Sequence, residues 1–286
     1  MTGERAIGVG VGGAGGWQAL AWAAEEAERS EGRLVLLHVC APGSPLLRAR
    51  EAPAHADVEL VDPPLSRAYT STQSRLGGQR VALRIRGGDP ATALVDASAG
   101  VRLLVIGAGA GGRTVRRIIR HAHCPVVVVR PDLPARPDGP LAGHVVIGVD
   151  GSAAGRAALE FAVAYAAEHR APLAAVHVAE SEHADHYPDG VTPEATAPEA
   201  LRLLAGETRR WTSRGPAPRI RHAVLHGPVS DALIRAGGGA RLLVVGDKRR
   251  GAVGRARTGD VPLTVAAGAP CPVTVVPADQ QEGVPL

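Results

Sequence analysis

The chain contains one internal repeat, and this repeat constrains the fold more than any other feature of the sequence. The segment LLVIG at Leu103–Gly107 recurs as LLVVG at Leu242–Gly246, an offset of 139 residues. The pair His38-Val39 recurs as His177-Val178 at the same offset. Since 286 residues are enough for two domains of ordinary size, we expect two similar domains in tandem.

A proline-rich segment marks the boundary between the two copies. Arg130–Gly143 contains four prolines, which is typical of an extended linker rather than of a core element. We therefore place the domains at residues 1–132 and 142–279. The copies differ in length, because CPVVVV at Cys124 and CPVTVV at Cys271 are 147 residues apart, so the first copy has lost eight residues after Gly107.

Each copy alternates short apolar runs with longer alanine-rich stretches. In the second copy, Ala153–Arg170 has helical spacing, with Leu159, Ala162, Val163 and Ala166 on one face. The apolar runs are continuous, which is typical of strands covered on both faces and predicts a parallel sheet between helices. They are Val145–Val149, Leu173–Val178, Arg219–Leu225, Leu242–Val245 and Val273–Val276. Ligands of such sheets bind beyond the carboxyl ends of the strands, so the loops after the first and fourth strands are candidate sites.

The composition argues against several classes of function. Aromatic residues make up 2% of the chain and the net charge is only +4, which disfavours nucleic-acid binding. Three cysteines without CxxC spacing provide neither a disulfide framework nor a zinc ribbon. Cys124 and Cys271 each precede a proline, and we interpret them as small buried residues rather than nucleophiles. With no secretory signal pattern and no apolar run of 18 residues, we expect a cytoplasmic protein without a membrane span.

Two loops of the second copy carry the strongest chemical signals. GVDGS at Gly148–Ser152 ends a strand with Asp150, which could bind a ligand or simply cap or turn the chain into the next helix. GDKRRGAVGRARTGD at Gly246–Asp260 is rich in glycine and basic residues. Backbone N–H groups exposed by glycine and the charge of Lys248 suit a phosphate. A solvated basic loop is the alternative interpretation.

The order of five segments resembles the universal stress protein family: GVDGS, LAAVHV, HGPVSDALIRA, LLVVG and APCPVTVV, with a corresponding series in the first copy. This resemblance covers nearly the whole chain, twice. It implies two flavodoxin-like α/β domains of the HUP type (adenine nucleotide alpha hydrolase-like), each a five-stranded parallel sheet with helices on both faces. It also implies that the fifth strands, Val126–Val129 and Val273–Val276, pair in an internal pseudo-dimer, and that two chains could form a homodimer.

The same resemblance implies a nucleotide site. In nucleotide-binding members of the family, an Asp after strand one and the Val after the strand-two His hold adenosine, and a G-x2-G-x9-G-[ST] loop holds ribose and phosphates. The matching residues here are Asp150, Val178, Gly246 and Gly259, and Lys248 would neutralise phosphate charge. The implied cofactor is ATP with Mg2+, in the second domain.

Two positions of this loop depart from the family pattern. Arg249 stands in place of the second Gly, and Asp260 stands in place of the final Ser or Thr. A carboxylate about 4 Å from a phosphate charge is repelled by roughly 4 kcal/mol per unit pair at an effective dielectric constant of about 20. We expect Asp260 to cap its own helix instead, with Pro262 in the first turn.

The first copy departs further from the pattern. Val11 stands where the second copy has Asp150, and the missing residues remove most of the phosphate loop, so we expect no ATP binding of the family kind. GAGAGGRT at Gly107–Thr114 and GVGVGG at Gly8–Gly13 mimic phosphate- and dinucleotide-binding loops. Such patterns are weak signals in a chain with 36 glycines. His183 and His186 could suggest a metal site, but we interpret them as part of a solvated loop.

Three functions are compatible with these features. The leading hypothesis is a cytoplasmic stress-response protein that regulates or protects by binding, is not a turnover enzyme, and holds an adenine nucleotide in the second domain. The alternative is a nucleotide-independent scaffold for protein partners, in which both sites have decayed. The third is a slow nucleotide hydrolase in which Asp150 or Asp260 helps to place Mg2+, although the spacing identifies no general base.

Overall fold

The computed structural model describes residues 6–13, 15–49, 55–109, 112–130, 139–179, 191–192, 198–212, 218–248 and 260–278. The chain divides into two compact units, Met1–Pro131 and Asp132–Leu286, called here the first unit and the second unit. Among the described helices, none is both long enough and apolar enough to cross a membrane.

The first unit is a five-stranded parallel sheet in the order β3-β2-β1-β4-β5. Its strands are β1 (Ile7–Val11), β2 (Leu34–Cys40), β3 (Val81–Gly87), β4 (Leu103–Gly107) and β5 (Val126–Val129). Its helices are α1 (Gly16–Arg29), α2 (His55–Val61), α3 (Pro63–Leu76), α4 (Pro90–Ser98) and α5 (Arg113–His121). Short 3-10 helices cover Pro45–Ala49 and Gly78–Arg80.

The second unit repeats this arrangement and extends its edge. The sheet order is β11-β10-β6-β7-β9-β8, and all pairs are parallel except β8 on β9. The strands are β6 (Val145–Gly148), β7 (Leu173–Ala179), β8 (Val191–Thr192), β9 (Ile220–His226), β10 (Leu242–Asp247) and β11 (Val273–Pro277). The helices are α6 (Ala153–Glu168), α7 (Pro198–Thr212), α8 (Val229–Ala236) and α9 (Val261–Gly268).

The predicted parallel sheets between helices are confirmed. The five strands predicted for the second unit lie within two residues of the observed ones at each end. The predicted apolar face of α6 is buried at Leu159, Ala162, Val163 and Ala166. The additional strand β8 was not predicted, because two residues are too few to produce an apolar run.

The beginning of the second unit differs from the expected linker. Leu141 is only 1% exposed, and the backbone N–H of Gly143 donates to the carbonyl of Gly239. Residues 139–143 therefore pack on the second unit. The apolar side chain of Leu141 is more stable when buried than when exposed to water in an extended linker.

Two equivalent glycines at the ends of β4 and β10 allow a strand to touch the start of a helix. A Cβ atom on Gly107 would overlap the backbone of Gly15, which begins α1, and a Cβ on Gly246 would overlap the carbonyl of Ala154 in α6. Neither Gly107 nor Gly246 has a positive φ angle. Glycine is therefore required at these positions because there is no room for a side chain, and not because of the backbone conformation. The strand-four glycine thus has a structural role in both units, whether or not a ligand binds.

Replacing either glycine by alanine tests this packing. We expect Gly107→Ala and Gly246→Ala each to lower the free energy of unfolding by about 1–3 kcal/mol, because the helix must move to admit a methyl group. The matched control is Gly206→Ala in α7, where a Cβ meets nothing within 4 Å and should raise stability by about 0.5–1 kcal/mol. Urea unfolding followed by circular dichroism measures all three, and equal stability of Gly246→Ala and the wild type would refute the argument.

Candidate functional site

The second unit has a cavity of about 580 Å3 at the carboxyl ends of its central strands, called here the second-unit cavity. Strands β6, β7 and β10 and the N-termini of α6, α8 and α9 surround it. The predicted site residues that line it are Asp150, Val178, Gly246, Lys248 and Asp260. Gly259 and Arg249 lie outside the described residues. The structure thus brings together at one cavity every predicted site residue that it describes.

Asp150 follows β6 and is held by three donors. Its Oδ1 accepts hydrogen bonds from the backbone N–H of Ser152 at 3.0 Å and from the Ser152 hydroxyl at 2.6 Å. Its Oδ2 pairs with the ammonium of Lys248. Asp150 does not cap α6, because Ser152 occupies that position and its Oγ accepts from the N–H of Gly155 at 3.1 Å. Asp150 therefore shapes the turn and also presents its charge to the cavity.

The charge state of Asp150 results from opposing effects. Partial burial raises the pKa of Asp150. The hydrogen bonds from Lys248 and Ser152 and the positive charge of Lys248 lower it, and together they outweigh burial, so the pKa lies below its usual value. The carboxylate is consequently ionised at neutral pH. Its folded-state pKa lies below the unfolded value, so its contribution to stability is present at neutral pH and is lost as the pH falls through the folded pKa.

The sequence analysis assigned Lys248 to a phosphate. In the structure its ammonium pairs with Asp150. The two side chains are 34% and 45% exposed, so the pair sits at the open side of the cavity. They meet because β6 and β10 are hydrogen-bonded neighbours in the sheet. This adjacency follows from the strand order of the fold, and the sequence alone gave no signal of the pairing itself.

His177 makes a further contact in the site, and the sequence analysis did not predict this contact. Its Nδ1 donates to the carbonyl oxygen of Val149 at 2.8 Å, which ties β7 to the residue before Asp150. The walls around it are apolar and are formed by Val149, Val176, Val178, Leu233 and Val245. The cavity therefore combines an apolar slot with charges at its rim, as small-molecule sites commonly do.

Asp260 occupies the N-cap position of α9, but its side chain accepts no capping hydrogen bond from that helix. The expected side-chain cap is therefore wrong, because the backbone at φ −106° and ψ 73° departs from the usual capping geometry. Its backbone carbonyl accepts from the N–H of Thr264 at 2.9 Å and starts the helix. Pro262 lies in the first turn, as predicted.

The first unit has a corresponding cavity of about 430 Å3, called here the first-unit cavity. The expected match of Val11 with Asp150 is wrong, because Val11 pairs with His38 as Val149 aligns with His177, and Gly12 therefore stands at the position of Asp150. The described lining of this cavity includes no carboxylate and no cation. Arg113 stands where a P-loop has its lysine, but it is absent from the described lining of this cavity. The two cavities thus share a place in the fold and differ in chemistry.

The cysteines behave as predicted. Cys124 and Cys271 are buried, and desolvation raises the pKa of the Cys271 thiol to about 12, although a backbone hydrogen bond from Leu243 opposes the shift. A thiol that stays protonated at neutral pH is a poor nucleophile. His183 and His186, the weak metal candidates, lie outside the described residues.

Removing the Lys248 charge tests what holds the site together. We expect Lys248→Met to raise the pKa of Asp150, because the strongest opposing hydrogen bond and charge are lost while burial remains. Lys248→Arg keeps the positive charge and serves as the matched control. Carbon-detected NMR titration of the Asp150 carboxylate measures the change, and an unaltered pKa in Lys248→Met would mean that the ion pair does not form in solution.

Comparison with known proteins agrees with this geometry. The family described as "Universal stress protein family" matches residues 4–130 and again residues 142–277. A universal stress protein of Mycobacterium tuberculosis is 30% identical over 274 residues, which cover 90% of this chain and 91% of the relative. One from Mycolicibacterium smegmatis is 31% identical over 276 residues, covering 90% and 92%.

Solved structures show the same fold. The crystal structure of a universal stress protein from Archaeoglobus fulgidus superposes with a TM-score of 0.67 at 15% identity, covering 97% of this chain and 98% of that chain. At this identity the likeness concerns the fold alone. The family match covers most of both units, and the mycobacterial relatives align over nearly their full length. The chain therefore belongs to the universal stress protein family, with two of its domains in tandem.

Proposed function

We propose that this chain is a stress-response protein of the cytoplasm that acts by binding, with an adenine nucleotide, ATP with Mg2+, in the second-unit cavity only. The observation that carries the proposal is the convergence of Asp150, Val178, Gly246, Lys248 and Asp260 on one cavity. These residues come from four separate segments of the chain. Their chemistry includes an apolar wall, an ionised carboxylate and a cation.

The dimensions and walls of the cavity suit such a ligand. A volume of about 580 Å3 lies within the usual range for small-molecule sites. The valine side chains at 149 and 178 line the cavity and would give a base an apolar contact. Asp150 offers carboxylate oxygens to the N–H or O–H groups of a nucleoside. At the other end, Lys248 and the N-terminus of α9 offer positive charge to phosphate.

Mg2+ fits the same rim. Carboxylate oxygens are its preferred protein ligands, and Asp247 and Asp260 both line the cavity near Lys248. A metal bound with the phosphates would also offset the repulsion that Asp260 exerts on them. When bound, Mg2+ would supply positive charge to the phosphate oxygens.

A bound phosphate would compete with Asp150 for Lys248. The ammonium of Lys248 pairs with Asp150 and has three N–H donors. A phosphate-bearing ligand would draw Lys248 toward the phosphates, while the nucleoside supplies hydrogen-bond donors to the carboxylate. These donors would replace the hydrogen bond that Asp150 loses, and Mg2+ would offset part of the phosphate charge.

We propose binding rather than turnover, because the charged group best placed in the cavity is a weak base. The lowered pKa of Asp150 reduces its ability to take a proton from water. His177 Nδ1 is already committed to the Val149 carbonyl. These features favour a sensor that holds nucleotide over a hydrolase that consumes it.

One observation favours the alternative of a nucleotide-independent scaffold. The Asp150–Lys248 pair satisfies both charges without a ligand, and Asp260 adds a carboxylate where a phosphate would lie. If these two features outweigh the favourable contacts, the second unit retains the fold of a nucleotide site without its function. Nucleotide titration separates the two proposals directly.

Calorimetric titration of the full-length chain with ATP and Mg2+ is the decisive measurement. We expect one site per chain, and we expect Asp150→Ala to weaken binding by about tenfold to a hundredfold, since a charge-assisted hydrogen bond contributes about 1.5–3 kcal/mol. Val11→Ala alters the first-unit cavity instead and should leave the affinity unchanged. No heat at millimolar ATP in the wild type would favour the scaffold instead.

Replacing Asp260 tests the role of its charge. We expect Asp260→Ser to bind ATP in the absence of Mg2+ about tenfold more tightly, because it removes a repulsion of the order of 1–4 kcal/mol between carboxylate and phosphate. Asp96→Ser removes the same charge from α4 of the first unit and is the control for net charge. Unchanged affinity in Asp260→Ser would show that the carboxylate does not oppose phosphate.

A further inference from the structure

The first-unit cavity has a chemistry of its own. It lies beyond the ends of β1, β2 and β4, and its volume of about 430 Å3 is sufficient for a small organic molecule. Most of its described lining consists of glycines and of apolar side chains such as Leu94, Ile106 and Ile118. Among these lining residues, His38 and Thr114 are the only ones with polar side chains.

One buried atom in this wall has no partner among the described residues. The Nδ1 of His38 is buried and makes no hydrogen bond. Buried polar atoms nearly always have a partner, so an exception calls for an explanation. The equivalent His177 Nδ1 in the second unit donates to the carbonyl of Val149.

The strand register does not account for this difference. Val11 of β1 pairs with His38, and the β6–β7 register places Val149 beside His177 in the same way. Val11 is therefore the counterpart of Val149, yet His38 Nδ1 makes no hydrogen bond to its carbonyl. The two histidines thus differ at Nδ1 although the backbone around them is paired alike.

The geometry also decides what kind of partner His38 would accept. A Cβ atom on Gly12 would lie 3.5 Å from Nδ1 and 3.6 Å from Cε1, so this edge of the ring faces a residue that has no side chain and that itself lines the cavity. On the opposite edge, Nε2 lies 3.8 Å from Oδ2 of Asp62. A carboxylate there favours a proton on Nε2, which leaves Nδ1 of the neutral ring as a hydrogen-bond acceptor.

We propose that the first-unit cavity binds an uncharged, largely apolar small molecule that donates an N–H or O–H hydrogen bond to His38 Nδ1. The apolar walls favour an uncharged body, because a phosphate or carboxylate would be desolvated without a lining cation to compensate it. The ligand would donate a hydrogen bond to His38 Nδ1, the buried atom of this cavity wall that makes none within the described residues. This site is independent of the nucleotide proposed for the second unit.

A matched pair of probes tests the donor requirement on the wild-type chain. Benzimidazole is uncharged near pH 8 and carries one N–H, and N-methylbenzimidazole has the same ring without that donor. With isoleucine methyl groups labelled for NMR, we expect benzimidazole to shift Ile106 and Ile118, which line the cavity, and not Ile147 or Ile234 of the second unit. The N-methyl compound should bind about fivefold to tenfold more weakly, as expected for one lost hydrogen bond.

A variant tests the acceptor. His38→Phe keeps a ring of similar shape and removes Nδ1, so it should abolish the preference for benzimidazole over its N-methyl form while the chain stays folded. His177→Phe alters the equivalent residue of the second unit and should keep that preference. The probe pair on the wild type does not depend on either variant folding, and none of these shifts depends on whether the second unit binds ATP.

Three results would overturn the proposal. The first is no shift of Ile106 and Ile118 at about 10 mM benzimidazole, a concentration at which a fragment of this size should bind a fitting site. The second is equal affinity for the two probes. The third is that inorganic phosphate shifts the same two methyl groups, which would make the cavity an anion site.

Discussion

The contact between the end of the fourth strand and the first turn of the first helix sets the geometry of both units. At Gly107 and at Gly246 the strand backbone lies against helix backbone so closely that no side chain fits between them. This contact fixes where α1 and α6 begin relative to the sheet. The loops after the first and fourth strands are therefore brought to one edge, and each unit has a cavity there.

Within the second unit, the charges at that edge are arranged to balance one another. Asp150 is oriented by Ser152, which in turn caps α6, so the cap and the candidate ligand residue belong to one hydrogen-bonded turn. Lys248 reaches Asp150 from the neighbouring strand. An ionised carboxylate at a half-exposed cavity is thereby stabilised without a ligand, and a charged ligand must be able to replace that compensation.

The two units show how one fold supports different chemistry. With Gly12 at the position of Asp150 and a shorter loop after β4, the first-unit cavity has no charged lining among the described residues. The shared strand order keeps a cavity in place in both units, while His38 Nδ1 lacks the hydrogen bond that His177 Nδ1 makes. The cavity is formed by the backbone, whereas the ligands that it prefers depend on a few side chains. A unit without the residues for one class of ligand can therefore still offer a site for another class.

The sequence by itself determined the tandem repeat, the alternation of strands and helices, and the residues that gather at the second-unit cavity. Short continuous apolar runs are typical of strands covered on both faces, and glycine and aspartate at strand ends mark the loops that enter the site. Only the tertiary structure decided that Lys248 pairs with Asp150, that Asp260 does not cap α9, and that His38 lacks the partner that His177 has. These outcomes depend on strand order, register and dihedral angles over distances of a few ångströms. The contacts join residues that are far apart in the sequence, so no local sequence pattern predicts them.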